Sequence, residues 1–156
     1  MIRLERTLDY ELIRRIFTHP KLYPYIFDDF TGAPENFWPM ESPALFHLLA
    51  YDGEELLGMF VTHSINPLLW EVHHALLPHA WGGRARAAGK AYLAWLWEHT
   101  RANTVFGCTP TCNPLAIRFA KSFGLKEIGR LTGCYLRHGE LHDLIVLGRA
   151  RPEEDK

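Results

Sequence analysis

Leu76-Leu-Pro-His-Ala-Trp81-Gly-Gly-Arg84-Ala-Arg86-Ala-Ala-Gly-Lys90-Ala-Tyr-Leu-Ala-Trp95-Leu-Trp-Glu-His-Thr100 decides how this chain folds. An apolar run breaks at Pro78 and turns through Trp81-Gly82-Gly83. It then becomes a helix, read over Arg84–Thr100, with no proline and a single glycine, Gly89. A strand, a glycine turn and a helix in that order gather unpaired backbone N–H groups at the helix N-terminus, where the macrodipole adds partial positive charge. Such a place suits phosphate. Arg84, Arg86 and Lys90 crowd the same turns, where the dipole disfavours cations, and an anion would relieve them. The plainer alternative is a solvated basic helix start, which costs only ~0.3–1 kcal/mol per charge.

Upstream, Leu68–Leu77 reads as a strand that places Leu69, Glu71, His73, Ala75 and Leu77 on one face. Trp70, Val72, His74 and Leu76 fall on the other. Both faces carry many apolar residues, so this strand is expected to be central and covered on both sides. Before it, Ala44–Tyr51 and Glu55–Ile65 form a hairpin through Asp52-Gly53-Glu54. Met1–Leu4 alternates as a short first strand. Thr7 or Asp9 then caps a helix to about Thr18 with Leu12, Ile13, Ile16 and Phe17 inward. Lys21–Phe30 is a second short helix or a loop. Thr31–Pro43, with three prolines, is a loop whose Phe37, Trp38 and Met40 either line an acceptor pocket or pin the loop to the core.

Downstream, Thr104–Thr109 is a strand. Its helical crossover makes it parallel to Leu68–Leu77. Asn113-Pro114 is an N-cap followed by proline at the first helical position, and the helix from Pro114 to Phe123 stops at Gly124. Leu125–Leu136 and Glu140–Leu147 form a last hairpin through Arg137-His138-Gly139. Residues 1–150 therefore read as one α+β domain of order βααβββαβαββ. Its sheet is mixed, mostly antiparallel and six- to seven-stranded, and residues 151–156 are a frayed polar tail.

The 156 residues suffice for one domain with a core, and 47% hydrophobic with 22% charged residues is ordinary for a globular chain. A net charge of −1 gives no general affinity for nucleic acid, and no apolar run reaches bilayer-spanning length. Three cysteines, an odd number, argue against a disulfide framework. With no apolar signal core in the first ten residues, the expectation is a reduced, cytoplasmic protein without nucleic-acid or membrane partners.

The element order resembles the GCN5-related N-acetyltransferase (GNAT) superfamily over nearly the whole chain. Two stretches carry the resemblance. Leu77-Pro78 with its glycine turn and helix is similar to that family's pyrophosphate loop. Asn113-Pro-Leu-Ala116-Ile-Arg-Phe119-Ala120-Lys-Ser-Phe-Gly124-Leu125 is similar to its second cofactor segment, Asn-x-x-Ala-x-x-Phe-Tyr-x-x-x-Gly-Phe. The tryptophan-rich end of the long helix also resembles small acetyltransferase-like proteins of bacteriophages and prophages.

The resemblance implies helices on both faces of the sheet and a splayed central parallel pair with acetyl-coenzyme A in the gap. Pantetheine would pair with backbone near Leu76 and Leu77. The pyrophosphate would lie on Trp81, Gly82, Gly83, Arg84, Ala85 and Arg86, and Asn113, Ala116 and Phe119 would complete the cofactor site. Asn113 serves equally well as a helix cap alone. The implied reaction is acetyl transfer to a primary amine of a small molecule or protein, with Glu71 or His73 as base. An unperturbed imidazole titrates near neutrality. Two departures stand out. Arg84 and Arg86 replace small residues of the phosphate loop, so they either grip phosphate or block it. Ala120 stands where relatives carry the tyrosine that protonates the leaving thiolate. The alternative is a catalytically silent binding or assembly module on the same fold. Many relatives are dimers, so a homodimer is an option. No metal site is expected. Cys108, Cys112, His138 and His142 have zinc-like spacing, but they belong to separate elements.

Overall fold

The computed structural model describes residues 1–156. Its elements are β1 (Ile2–Thr7), α1 (Tyr10–Phe17), α2 (Tyr23–Ile26), β2 (Phe46–Asp52), β3 (Glu55–Asn66), β4 (Leu69–Leu76), α3 (Gly83–His99), β5 (Thr104–Pro110), α4 (Pro114–Ser122), β6 (Lys126–Arg137) and β7 (Glu140–Ala150). The expected order βααβββαβαββ is found. Seven strands form one sheet in the order β1-β2-β3-β4-β5-β7-β6, antiparallel except for β4 beside β5.

Two cores cover the two faces. On one, Ile13 and Ile16 of α1 and Leu22 pack on Leu49, Met59, Val61 and Ala75. On the other, α3 and α4 lie over a larger cluster that includes Phe60, Tyr92, Leu96 and Phe123. The buried positions of α3, from Ala85 through Ala88, Gly89, Tyr92, Leu93 and Leu96 to Trp97, recur at three- and four-residue steps, as one inward stripe requires. Gly89 is glycine because α4 passes too close for a side chain. A Cβ there would meet Phe123 Cγ at 2.4 Å.

Asp9, not Thr7, caps α1 by accepting from Leu12 N–H. Thr7 ends β1, and its hydroxyl accepts from Asp9 N–H. Phe37 meets Phe17, Tyr23 and Phe27 edge-on or tilted, so it pins its loop to the domain, while Trp38 and Met40 are exposed. At the start of the polar tail, Arg151 donates to the Trp97 and Asp155 carbonyls. β4 is the central strand, but it is not covered on both sides. Beyond the end of the α1–α2 layer, His73 is half exposed and Glu71 is partly so. At the final hairpin, His138 (φ 50°) and Gly139 (φ 73°) form a two-residue turn with both φ positive, whose N–H groups donate to the Asp29 carboxylate.

Candidate active site

β4 and β5 stay paired for only three residues, Leu69–Glu71 against Thr104–Phe106. From Val72 onward β4 has no partner on that edge. Gly107 marks the parting point, where a Cβ would lie 2.8 Å from the Val72 carbonyl oxygen. Leu77 N–H donates to Leu57 on the β3 side. Because strand amides alternate, His74 and Leu76 present theirs to the opened gap. The gap is the floor of a cleft of about 720 Å³, within the usual range for ligand sites.

One end of the cleft reaches the start of α3. Gly82, at φ 99°, turns the chain so that the helix begins with no side-chain cap. The first helical bond is Arg86 N–H to the Gly82 carbonyl, so Gly82, Gly83, Arg84 and Ala85 keep backbone donors with no protein acceptor. Trp81, Gly82, Gly83 and Arg86 line the cleft. Arg84 and Ala85 do not. Ala85 is buried, and Arg84 pairs with Glu55 and Asp52. Among the two arginines, the phosphate-gripping expectation thus passes to Arg86, which has no carboxylate partner.

Leu76 is on the wall, but its carbonyl already accepts from the Trp81 indole at 2.8 Å. Leu77 is off the wall, with its N–H satisfied by β3. Asn113, Ala116 and Phe119 line the cleft from α4. Asn113 accepts from Ala116 N–H and donates to the Tyr25 carbonyl at 3.1 Å, so it caps α4 and ties it to α2. Ala120 is on the wall too, and is itself buried.

His73 lies on the wall at the α1–α2 side; Glu71 does not line the cleft but pairs with His73 from behind. Glu71 Oε1 is 3.2 Å from His73 Nε2, and Oε2 is 3.3 Å from His63 Nε2. The hydrogen bond to His73, against partial burial, holds the Glu71 carboxyl below the usual carboxylate range. Glu71 is therefore ionised at neutral pH and a weak proton acceptor. With its Nε2–H donating to Glu71, the His73 ring keeps Nδ1 without a protein partner. On the opposite face, His74 meets Phe119 edge-on at 4.6 Å, and burial pushes it down to about 4, so it stays neutral.

His63 escaped the sequence reading because only the β3–β4 register, His63 opposite Glu71, brings it there. Cys108 and Cys112 line the cleft as well. Burial pushes the Cys108 thiol up, which keeps it protonated. The zinc-like set is not drawn to one place: His138 and His142 border a side pocket of about 300 Å³, Cys108 lies in the main cleft, and Cys112 borders both. Tyr135 borders that side pocket, and burial pushes its hydroxyl up to about 12.

No protein-family model and no curated protein sequence matches the chain. Solved structures do. A spermidine N-acetyltransferase from Vibrio cholerae, in complex with CoA and spermine, is 17% identical and superposes with a TM-score of 0.76 over 96% of this chain and 95% of that one. A chimera of the same enzyme gives 16% identity and 0.77 over the same shares. A candidate phosphinothricin N-acetyltransferase gives 16% identity and 0.72, covering 98% of this chain and all of that one. The likeness extends end to end, through the mixed sheet, its one parallel pair and the flanking helices, so this chain has the fold of the GCN5-related N-acetyltransferases.

Proposed function

We propose that the protein is an acetyl-coenzyme A-dependent N-acetyltransferase. The observation that carries the reading is the parting of β4 from β5 into a cleft that ends on the uncapped N-terminus of α3. The fit to the coenzyme rests on the unclaimed donors of Gly82–Ala85, which suit a diphosphate, with Arg86 alongside. The free edge amides of His74 and Leu76 suit an extended amide-bearing arm, and Ala116 and Phe119 supply its apolar wall. The coenzyme supplies an acyl group activated as a thioester. His73 takes the proton that the amine must lose to attack, and Glu71 orients and charges-balances the ring. No tyrosine is present at residue 120, so this chain offers no phenol there to the departing sulfur.

The acceptor is an amine on an apolar body rather than a polycation. None of the thirty residues that line the cleft is Asp or Glu, whereas Lys21, Arg86 and Arg118 are cationic. Phe17, Leu22, Tyr25 and Ile26 make the acceptor-side wall apolar. The nearby Asp28 and Asp29 are engaged by Thr31 and by the His138-Gly139 turn. A polyamine would find its extra charges unpaired there, which costs specificity against it.

Thiol release from acetyl-coenzyme A tests both parts, with phenethylamine and spermidine as acceptors. Phenethylamine should have the higher kcat/KM. His73→Gln and Glu71→Gln should each lower it by about 10²–10⁴-fold. Coenzyme binding with no turnover on any amine would favour the binding-module alternative, and a preference for spermidine would overturn the acceptor assignment.

A further inference from the structure

Acetyl transfer as derived above gives His63 no part, yet His63 completes a compact donor set. We propose that His63, Glu71 and His73 form a binding site for a divalent transition metal of the zinc class, and that its occupation withdraws the His73–Glu71 pair from proton transfer. The binding site stands without the transferase reading; only the inhibitory consequence rests on it.

The donor atoms of the three side chains all lie within 4.8 Å of one another. His63 Nε2 and His73 Nε2 flank the two carboxylate oxygens at 3.3 and 3.2 Å. Ligands at zinc distances in a tetrahedron are separated by about 3.3 Å, so closing around an ion needs small side-chain rotations and no backbone movement. The backbone is fixed for the purpose. His63 stands directly opposite Glu71 in the β3–β4 ladder, and His73 follows two residues later on the same face.

Two imidazoles and one carboxylate are a familiar zinc set, and they leave a fourth position. Of the three, His73 lies on the cleft wall. Calcium or magnesium would want more oxygen ligands than one carboxylate offers. No ring nitrogen other than the two Nε2 atoms has a protein partner at either histidine. The set therefore lacks the supporting hydrogen bonds of a permanent structural site and suits reversible occupancy.

The test uses the metal-free full chain titrated with Co²⁺ alone and followed by visible absorption, then displaced by Zn²⁺, which such sites bind more tightly. One equivalent should bind, with the intense d–d bands of a four- or five-coordinate ion. His63→Ala and Glu71→Gln should each weaken binding at least about tenfold, with melting curves confirming the fold. Should either variant unfold, the other decides. Unchanged Co²⁺ affinity in the folded variant overturns the site. So does a thiolate-to-cobalt charge-transfer band, which would place the ion on the free cysteines. Acetyl transfer should fall as Zn²⁺ occupancy rises and return with a chelator; full activity with the site filled overturns the inhibitory half. A chain that binds Co²⁺ this way but acetylates no amine refutes the transferase reading and leaves the metal site intact.

Discussion

Replacing Arg86 and Arg84 by alanine, one at a time, separates two arginines that look equivalent in the sequence. Arg86 lines the cleft beside Gly82 and Gly83 and has no carboxylate partner. If it meets coenzyme phosphate, Arg86→Ala removes a charge-assisted hydrogen bond, valued at about 1.5–3 kcal/mol. That corresponds to a Kd for coenzyme A raised about 10- to 150-fold. Arg84 pairs instead with Glu55 and Asp52, with 37% of its side chain exposed. Arg84→Ala should leave Kd within about twofold and cost at most about 1 kcal/mol of stability. Thermal unfolding reads both effects. At a coenzyme concentration about 100-fold over the wild-type Kd, binding adds about 2.7 kcal/mol of stability. The same concentration should add about 0.3–1.4 kcal/mol to Arg86→Ala and nearly the full amount to Arg84→Ala. Calorimetric titration at rising salt supplies a second check, because an exposed phosphate contact weakens as screening grows. Equal losses in the two variants, or a larger loss for Arg84→Ala, would refute the assignment of Arg86 to the phosphate and with it the orientation given to the coenzyme.

Acid should destabilise the protein well above the range of ordinary carboxylates. His74 titrates at about 4 when folded and near 6.5 when unfolded, so between those values the unfolded chain binds the extra proton. The stability that this neutral ring supports is complete above pH 6.5 and is lost as pH falls towards 4, by up to about 3 kcal/mol. Urea titrations at pH 7, 5.5 and 4.5 should show the decline, and His74→Gln should flatten most of it; His47, also held low by burial, accounts for a remainder in the same direction. Gly89→Ala should destabilise despite alanine's better helix propensity. Its Cβ would meet Phe123 at 2.4 Å, overpacking costs about 1–3 kcal/mol, and the propensity gain offsets about 1. A measured stabilisation would mean that α4 yields more readily than its packing suggests.

The order of elements was legible in the chain because its signals are local. The caps at Asp9 and Asn113, the stops at His19-Pro20 and Gly124, and the inward stripes of α1 and α3 each depend on neighbours a few residues away. The glycine turn with its uncapped donors was legible for the same reason: a glycine turn that opens a helix leaves its donors free whatever the rest of the chain does. What only the tertiary structure decided is which distant partners each side chain meets. Arg84 and Arg86 are two residues apart, yet the β2–β3 turn claims one with Asp52 and Glu55 and leaves the other to the cleft. Glu71 and His73 were visible as a pair, but His63 joins them through the strand register, and register depends on long-range pairing that no local pattern encodes. The length of the β4–β5 contact, three residues and then a gap, likewise appears only in the assembled sheet. The proposed chemistry therefore rests on residues the chain carries openly and on an alignment that exists only once the sheet has formed.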